Sequence, residues 1–491
     1  MCLLFAVLIL VSSCMVTAVP VKAESRTIVV PDDYSTIETA IQNATDGDTI
    51  FVKSGVYQEN PLKINKTLSV IGEGADSTKI SFDPPSTEVT VNILERYIFY
   101  EDPIDVYADG FTLSGFTITS TGGSISISGN KTRITDNVIT PEIYVAGGRY
   151  SLISQNSFLG NLGFNGTYCR VNSNNFWGNL YGGGQYVIFS FNNGHSGIRI
   201  EGSNCLITNN HLIQSSSWFS VSGNDNVITK NTIDHVGFGL SVAGLNSKAF
   251  LNQISHCGIG LIPSAGSVIF ANNIADCGWG IDTGGDLINP NGTLSTVFHN
   301  NFINNRYQVD AMGHYEADYY DNGKEGNFWN DYNGSDTNGD GIGDTPYRID
   351  ENRSDRYPLI KPFNLSSVPD TIPDWAAPPS VHLISPQNTT YDSANITLNF
   401  FISKQASVTY SLDGASNITA TANTTLANLP SGSHNITLYT KDVFDNIGAS
   451  ETINFTVASP PFPTVPVVAV SGVLVAVACV FIFLYVRKKQ R

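Results

Sequence analysis

From Phe111 to about Asn305 the chain repeats one phrase: an aliphatic residue, two others, Asn, any residue, then an aliphatic or Phe. It reads Ile134-x-x-Asn137-x-Ile139, Ile153-x-x-Asn156-x-Phe158 and Val171-x-x-Asn174-x-Phe176, and later copies place Asn at 210, 231, 252, 272 and 300. Successive Asn spacings are 19, 18, 36, 21, 21, 20 and 28. The 36 splits into two 18s around a worn copy at Phe189/Asn192, and the 28 holds an insertion between Asp282 and Thr296. A short fixed period of this kind means a solenoid whose turns cannot each hold two helices. Its apolar columns are Ile, Val and Phe, which prefer strands. The pattern predicts an all-β fold, a single-stranded parallel β-helix with aliphatics inside and Asn amides hydrogen-bonding up a column at a tight turn. Ten coils about 4.8 Å apart make a rod of roughly 50 Å.

Such a rod needs a lid over its first coil, whose open edge invites pairing. Ile37, Ala40, Ile41 and Ala44 fall at i, i+3, i+4 and i+7, the apolar face of an N-terminal cap helix. The β-helix is placed at 27–310, with a C-terminal extension over 311–362 and a Pro-rich linker over 363–379. Residues 380–458 then alternate at period two, as in Val408-x-Tyr410-x-Leu412 and Ile453-x-Phe455-x-Val457, which reads as an immunoglobulin-like β-sandwich. A Pro-rich stalk (459–466) leads to an uncharged stretch, 467–486, long enough for one C-terminal transmembrane helix, and a basic tail, 487–491.

Residues 1–23 read as a signal peptide ending at Val21-Lys22-Ala23, with a rival lipobox reading at Cys14. The bulk of the chain is therefore expected outside the cell, on a single-pass anchor. Fourteen Asn-x-Ser/Thr sequons agree, six of them at Asn388, Asn395, Asn417, Asn423, Asn435 and Asn454. With 26 Lys+Arg against 43 Asp+Glu, net −17, nucleic acid is excluded as a partner.

Ile28-Val-Val-Pro-Asp-Asp-Tyr-Ser-Thr-Ile, Asp46-Gly-Asp-Thr-Ile-Phe-Val and Leu68-Ser-Val-Ile-Gly-Glu-Gly74 resemble the opening of right-handed parallel β-helix proteins, pectin-active enzymes and NosD-like proteins among them. Asn322-Gly-Lys-Glu-Gly-Asn-Phe-Trp-Asn-Asp-Tyr332 through Asp355-Arg-Tyr-Pro-Leu-Ile360 resembles NosD-like archaeal surface proteins more narrowly. The resemblance covers about 27–362. It implies the handedness, and an association with copper handling.

Chemistry has four candidate seats. In Asp336-Thr-Asn338-Gly-Asp340-Gly-Ile342-Gly-Asp344, oxygen ligands fall at positions 1, 3, 5 and 9 of a Ca²⁺-type loop, with the Ile342 carbonyl at 7. Four residues after the repeat Asn, His235, His256 and Asp276 fall in one column on successive coils, a donor set for Cu²⁺ or Zn²⁺ or else a solvated turn. One position on, Cys257 and Cys277 stack within reach of a disulfide or as thiols. Asp234, Asp276, Asp282 and Asp286 offer paired carboxylates for a polysaccharide hydrolase, and lyase or epimerase chemistry is a further option. No catalytic motif supports either, so no catalytic residue is assigned. The preferred expectation is non-catalytic binding of envelope glycans or surface proteins, with Trp177, Tyr181, Trp218 and Trp279 available to stack on sugars.

Overall fold

The computed structural model describes residues 24–92, 95–264, 266–282, 294–310, 319–350, 353–421, 424–459 and 464–489; the side chains of 88–97, 99, 147 and 464–472 are outside that description. The chain divides into two compact units, Met1–Pro373 and Asp374–Arg491.

The first unit is an all-β parallel solenoid. The aliphatics of the repeat lie directly over one another: Leu113 pairs Ile134, then Ile153, Val171, Phe189, Ile207, Ile228, Ala249, Ile269 and Val297 follow, each on the next coil. They belong to a 13-stranded parallel sheet that begins at Thr27–Val30. A second column runs Ile139, Phe158, Phe176, Gly194, Leu212, Ile233, Ile254, Ile274, Phe302 and Trp329. All its members named in the core are essentially inaccessible, and Phe158 stacks on Phe176 with ring centroids 5.3 Å apart.

At the corner between these columns stands the asparagine ladder. The backbone N–H and the Nδ2 of each Asn both donate to Oδ1 of the Asn one coil further on, at 2.9–3.1 Å from Asn137 through Asn300. Asn192, degenerate by its flanking sequence, is a full member. The ladder also runs one rung beyond the repeat, to Asn327, whose N–H donates to Asp355 Oδ2 at 2.6 Å. Buried amides of this kind persist because every donor and acceptor finds a partner. Rungs pack too closely for side chains at one edge. Gly223 and Gly244 sit at φ +108° and +132°, where a Cβ would lie 2.0 Å from the carbonyl of the preceding coil.

The lid forms as expected. Helix α1 (Ile37–Asn43) buries Ile37, Ala40 and Ile41, with Thr36 capping Thr39 N. Coil side chains hold both of its ends: Glu59 accepts from Ile37 N and Glu38 N, and Lys66 Nζ donates to the carbonyls of Ile41, Gln42 and Ala44. At the other end Trp329 stacks between Phe302 and Tyr347, at 4.3 and 4.5 Å.

The second unit is two-layered and mainly antiparallel, with Thr390–Tyr391 pairing parallel to Ile453–Val457. Val381–Ser385 pairs Ile396–Ile402, which pairs Thr424–Leu426; in the other sheet Gly432–Lys441 lies between Ser407–Leu412 and Ile453–Val457. Ile396 and Leu398 from one sheet meet Val408, Ile436, Leu438 and Phe455 from the other in one core. Helix α2 spans Thr464–Lys489 and ends on Arg487, Lys488 and Lys489. It begins earlier than the stalk reading had it, because Pro466 sits in its first turn, where a missing N–H breaks no intrahelical bond. Among the described residues no helix is long and apolar enough to cross a membrane. The side chains of 464–472, which supply the start of the expected span, are not among them.

Candidate functional site

The coils turn a second corner four residues after each ladder Asn. Gln214, His235, His256, Asp276 and Asn304 occupy it, all left-handed at φ 50° to 55°. That conformation is unfavourable for most L residues and best tolerated by Asn, Asp and His, which explains the residue types found there.

His235 and His256 stack face to face, with centroids 4.5 Å apart and planes 16° off parallel. A single carboxylate joins them: Asp234 Oδ2 meets His235 Nδ1 and Oδ1 meets His256 Nδ1, each at 2.8 Å, and Ser255 Oγ donates to Oδ1 at 2.7 Å. Partial burial opposes ionisation of Asp234, yet the hydrogen bonds from Ser255, His256 and His235 hold it at about 2. The bond to Asp234 raises His256 above the usual imidazole range, and the charge of Asp276 adds to the shift. One ligand atom from each of Asp234, His235 and His256 lies within 4.8 Å of the others, and among the described residues no other such cluster occurs. Asp276, expected as the third donor, stays exposed on the next coil while Asp234 takes that place. The expectation followed one column straight up the rod; the contact runs diagonally, from the residue before one turn to the turn of the next coil. Two imidazoles oriented by a shared carboxylate offer nitrogen donors suited to a borderline divalent metal such as Cu²⁺ or Zn²⁺.

Three residues past this corner an outward-facing column begins. Trp218 pairs Phe238 between two register shifts, and Phe238 pairs Ile259, Ile259 pairs Trp279 and Trp279 pairs Tyr307, all parallel. Trp218, Phe238 and Tyr307 are 38, 45 and 50% exposed, although outward positions of a strand are ordinarily polar. Trp279 stacks on Tyr307 at 5.9 Å, and Arg306 lies over the Tyr307 ring. Towards the N-terminal coils the same sheet carries an open depression of about 460 Å³ floored by Gly182 and Gly183, with Tyr181, Arg199 and Glu201 at its sides. Trp177, also exposed, stacks on His195 at 4.1 Å. Only Trp218 and Trp279 of this five-rung column were singled out from sequence; Phe238, Ile259 and Tyr307 needed the register.

The Ca²⁺-type loop is built of turns closed by its own side chains. Asp336 accepts from Gly339 N and Gly341 N, Asn338 from Asp340 N, Asp340 from Ile342 N, and Asp344 from Ser335 Oγ and Thr337 N. The side chains close their own turns, and the carboxylates of Asp336, Asp340 and Asp344 do not converge as a metal cluster. Cys257 and Cys277 stand as buried free thiols, as do Cys169 and Cys205. Cys257 N–H donates to Cys277 Sγ at 3.4 Å, and their mutual hydrogen bond, with burial, raises the Cys257 thiol. Asn388, Asn395, Asn417, Asn435 and Asn454 are exposed, while Asn423 lies outside the described residues, as do Asp286, Cys14 and the whole leader.

Coils of this kind, capped at both ends and carrying their chemistry on outward columns, define a parallel β-helix repeat protein. Residues 186–334 match the family described as periplasmic copper-binding protein (NosD), a span that holds the two imidazoles, Asp234 and the aromatic column. The chain is a NosD-like parallel β-helix repeat protein. Halomucin of Haloquadratum walsbyi is 37% identical over 109 residues, 21% of this chain and 1% of that relative's length. Solved structures with the same type of coil include the A-module of an Azotobacter vinelandii mannuronan C-5 epimerase. It is 13% identical, with a TM-score of 0.40, over 58% of this chain and 96% of that one. The catalytic domain of a GH87 alpha-1,3-glucanase in complex with nigerose is 11% identical, with a TM-score of 0.34, over 62% of this chain and 69% of that one.

Proposed function

We propose that this chain is a cell-surface β-helix that binds glycans along its flank without transforming them. One observation carries the reading: the five-rung outward column from Trp218 to Tyr307, in which Trp218, Phe238 and Tyr307 are exposed and Ile259 and Trp279 half-buried. Flat apolar faces backed by a rigid sheet and bordered by hydrogen-bonding groups are what sugar rings require. The second unit is immunoglobulin-like and carries glycans of its own at exposed sequons. The uncharged run 467–486 anchors it, and the Arg487–Lys489 end of α2 faces the cytoplasm. The full chain should sediment with membranes and, in detergent, bind envelope polysaccharide; removing 464–491 should release it with binding retained. Loss of binding in Trp218→Ala and Trp279→Ala, with melting unchanged, is the expected signature. Wild-type levels of binding in both variants would end the proposal.

A second reading is favoured by Asp234, His235 and His256: capture of copper, which the matched family's description names. With Asp234 oriented on both Nδ1 atoms, each ring turns its Nε2 outward to a metal, the carboxylate fixing the tautomer. Calorimetry with Cu²⁺ should give one site at pH 7, abolished in His256→Ala and weakened about 10–100-fold in Asp234→Asn. An affinity that ignores both substitutions would remove the reading. Protons compete for the same nitrogens, so binding should fall as the pH drops through the raised His256 value.

A further inference from the structure

Resting on the glycan-binding reading, we infer that the aromatic column takes a neutral polysaccharide laid parallel to the rod axis, about one sugar per coil. Three independent features point to that occupant. The first is pitch. Successive rungs of the column repeat at about 4.8 Å, close to the length of one pyranose in an extended chain, so five rungs span roughly 19 Å. A chain crossing the rod instead would meet one of the four aromatics and leave the other three unused.

The second is the pair of polar rails. On one side run Gln214, His235, His256, Asp276 and Asn304, three or four residues before the column. On the other, Ser220 pairs with Ser241 on successive coils, Ile262 follows Ser241, and Asp282 pairs with Asp310 further on. An apolar strip bordered by donors and acceptors matches a sugar chain, whose ring faces are apolar and whose edges carry hydroxyls. A lipid or an apolar peptide would leave these polar borders unsatisfied. Beyond Trp218 the same sheet carries the depression beside Tyr181, where the lack of a side chain on outward-facing Gly183 leaves room for a further unit.

The third is charge. Acidic groups bordering the strip are Asp234, Asp276, Asp282, Asp310 and Glu201. Its cations are Arg199, paired with Glu201, and Arg306, over Tyr307. The whole chain carries −17. A uronate or sulfated polymer would place one negative charge per unit along this acidic border, where like charges repel. A neutral hexose or N-acetylhexosamine chain meets no such cost.

The test titrates the full chain in detergent, at low salt, with β-1,4-linked glucose and N-acetylglucosamine oligomers of two to six units, and with galacturonate oligomers of equal length. Tryptophan fluorescence and calorimetry read the binding. Neutral oligomers should tighten with each added unit up to four or five, and galacturonates should bind at least 10-fold more weakly. Trp279→Ala and Tyr307→Ala should each weaken the longest neutral oligomer about 10-fold or more while barely affecting dimers held at Trp218. Trp218→Phe, which keeps a flat ring, should retain most of the affinity and show that losses elsewhere are not misfolding. Tighter binding of galacturonates, or no gain beyond two units, would overturn the neutral axial chain and leave glycan binding standing. No response to any oligomer or to envelope polysaccharide would overturn both.

Discussion

Replacing Asn231 with Ala should open the rod locally and lower its thermal midpoint by several degrees. Asn231 Oδ1 accepts from both the N–H and the Nδ2 of Asn210, and its own Nδ2 donates to Ile207 O, Thr229 O and Asn252 Oδ1. The residue is inaccessible, so water cannot readily replace those partners. Alanine leaves the Asn210 N–H and the Ile207 carbonyl without their ladder partners, at a cost of about 2–5 kcal/mol for two buried polar groups. Solenoid coils contact only their neighbours, so the damage should stay near the coils carrying 207–252 and not spread to the lid. Hydrogen exchange should show lost protection at Asn210 and its coil with that around Ile50 and Val70 intact. Uniform protection across the rod, or an unchanged midpoint, would show that the ladder is decorative.

The ladder also marks how far sequence alone reaches. The column of nine amides from Asn137 to Asn300, Asn192 included, could be read directly, because each Asn recurs at one place in a fixed phrase and each must satisfy its neighbour. The inward columns and the α1 lid were legible for the same reason: periodicity reports burial. What periodicity hides is contact between different columns. Asp234 reaches the two imidazoles diagonally, and nothing in the spacing of His235 and His256 reveals it. The aromatic column was half visible, since Phe238 and Ile259 look like core residues until the extra residue at Gly239 is seen to turn Phe238 outward. In the Asp336–Asp344 loop, Asp and Asn at alternate positions suit a cation and their own backbone amides equally well, and their oxygens accept from those amides.

Asp355 closes the ladder, and its protonation should set the pH response of the C-terminal end. It is inaccessible; Oδ2 accepts from Asn327 N at 2.6 Å and from Trp329 Nε1 at 2.9 Å, and Oδ1 from Tyr357 N at 3.1 Å. Burial drives its pKa up, the three donors and the backbone pull it back, and the balance is about 6 against an ordinary 3.8. A carboxyl whose folded pKa is raised favours the native state most below the unfolded value. That contribution is lost as the pH rises from about 4 through 6, by about 3 kcal/mol in all. Carboxylates held low, such as Asp48 at about 2, work oppositely and only below pH 4, and Glu59, raised by burial, acts in the same sense as Asp355 but at the lid, so the response of the C-terminal end belongs to Asp355. Asp355→Asn should flatten stability across that window, because nothing remains to titrate, while losing one hydrogen bond where its NH₂ meets a donor. Asp355→Ala should cost more at every pH, about 3–5 kcal/mol, by orphaning the donors of Asn327, Trp329 and Tyr357 together. Trp329 fluorescence during urea unfolding reports this end directly, and an Asn variant that keeps the wild-type slope between pH 4 and 6 would place the titration elsewhere.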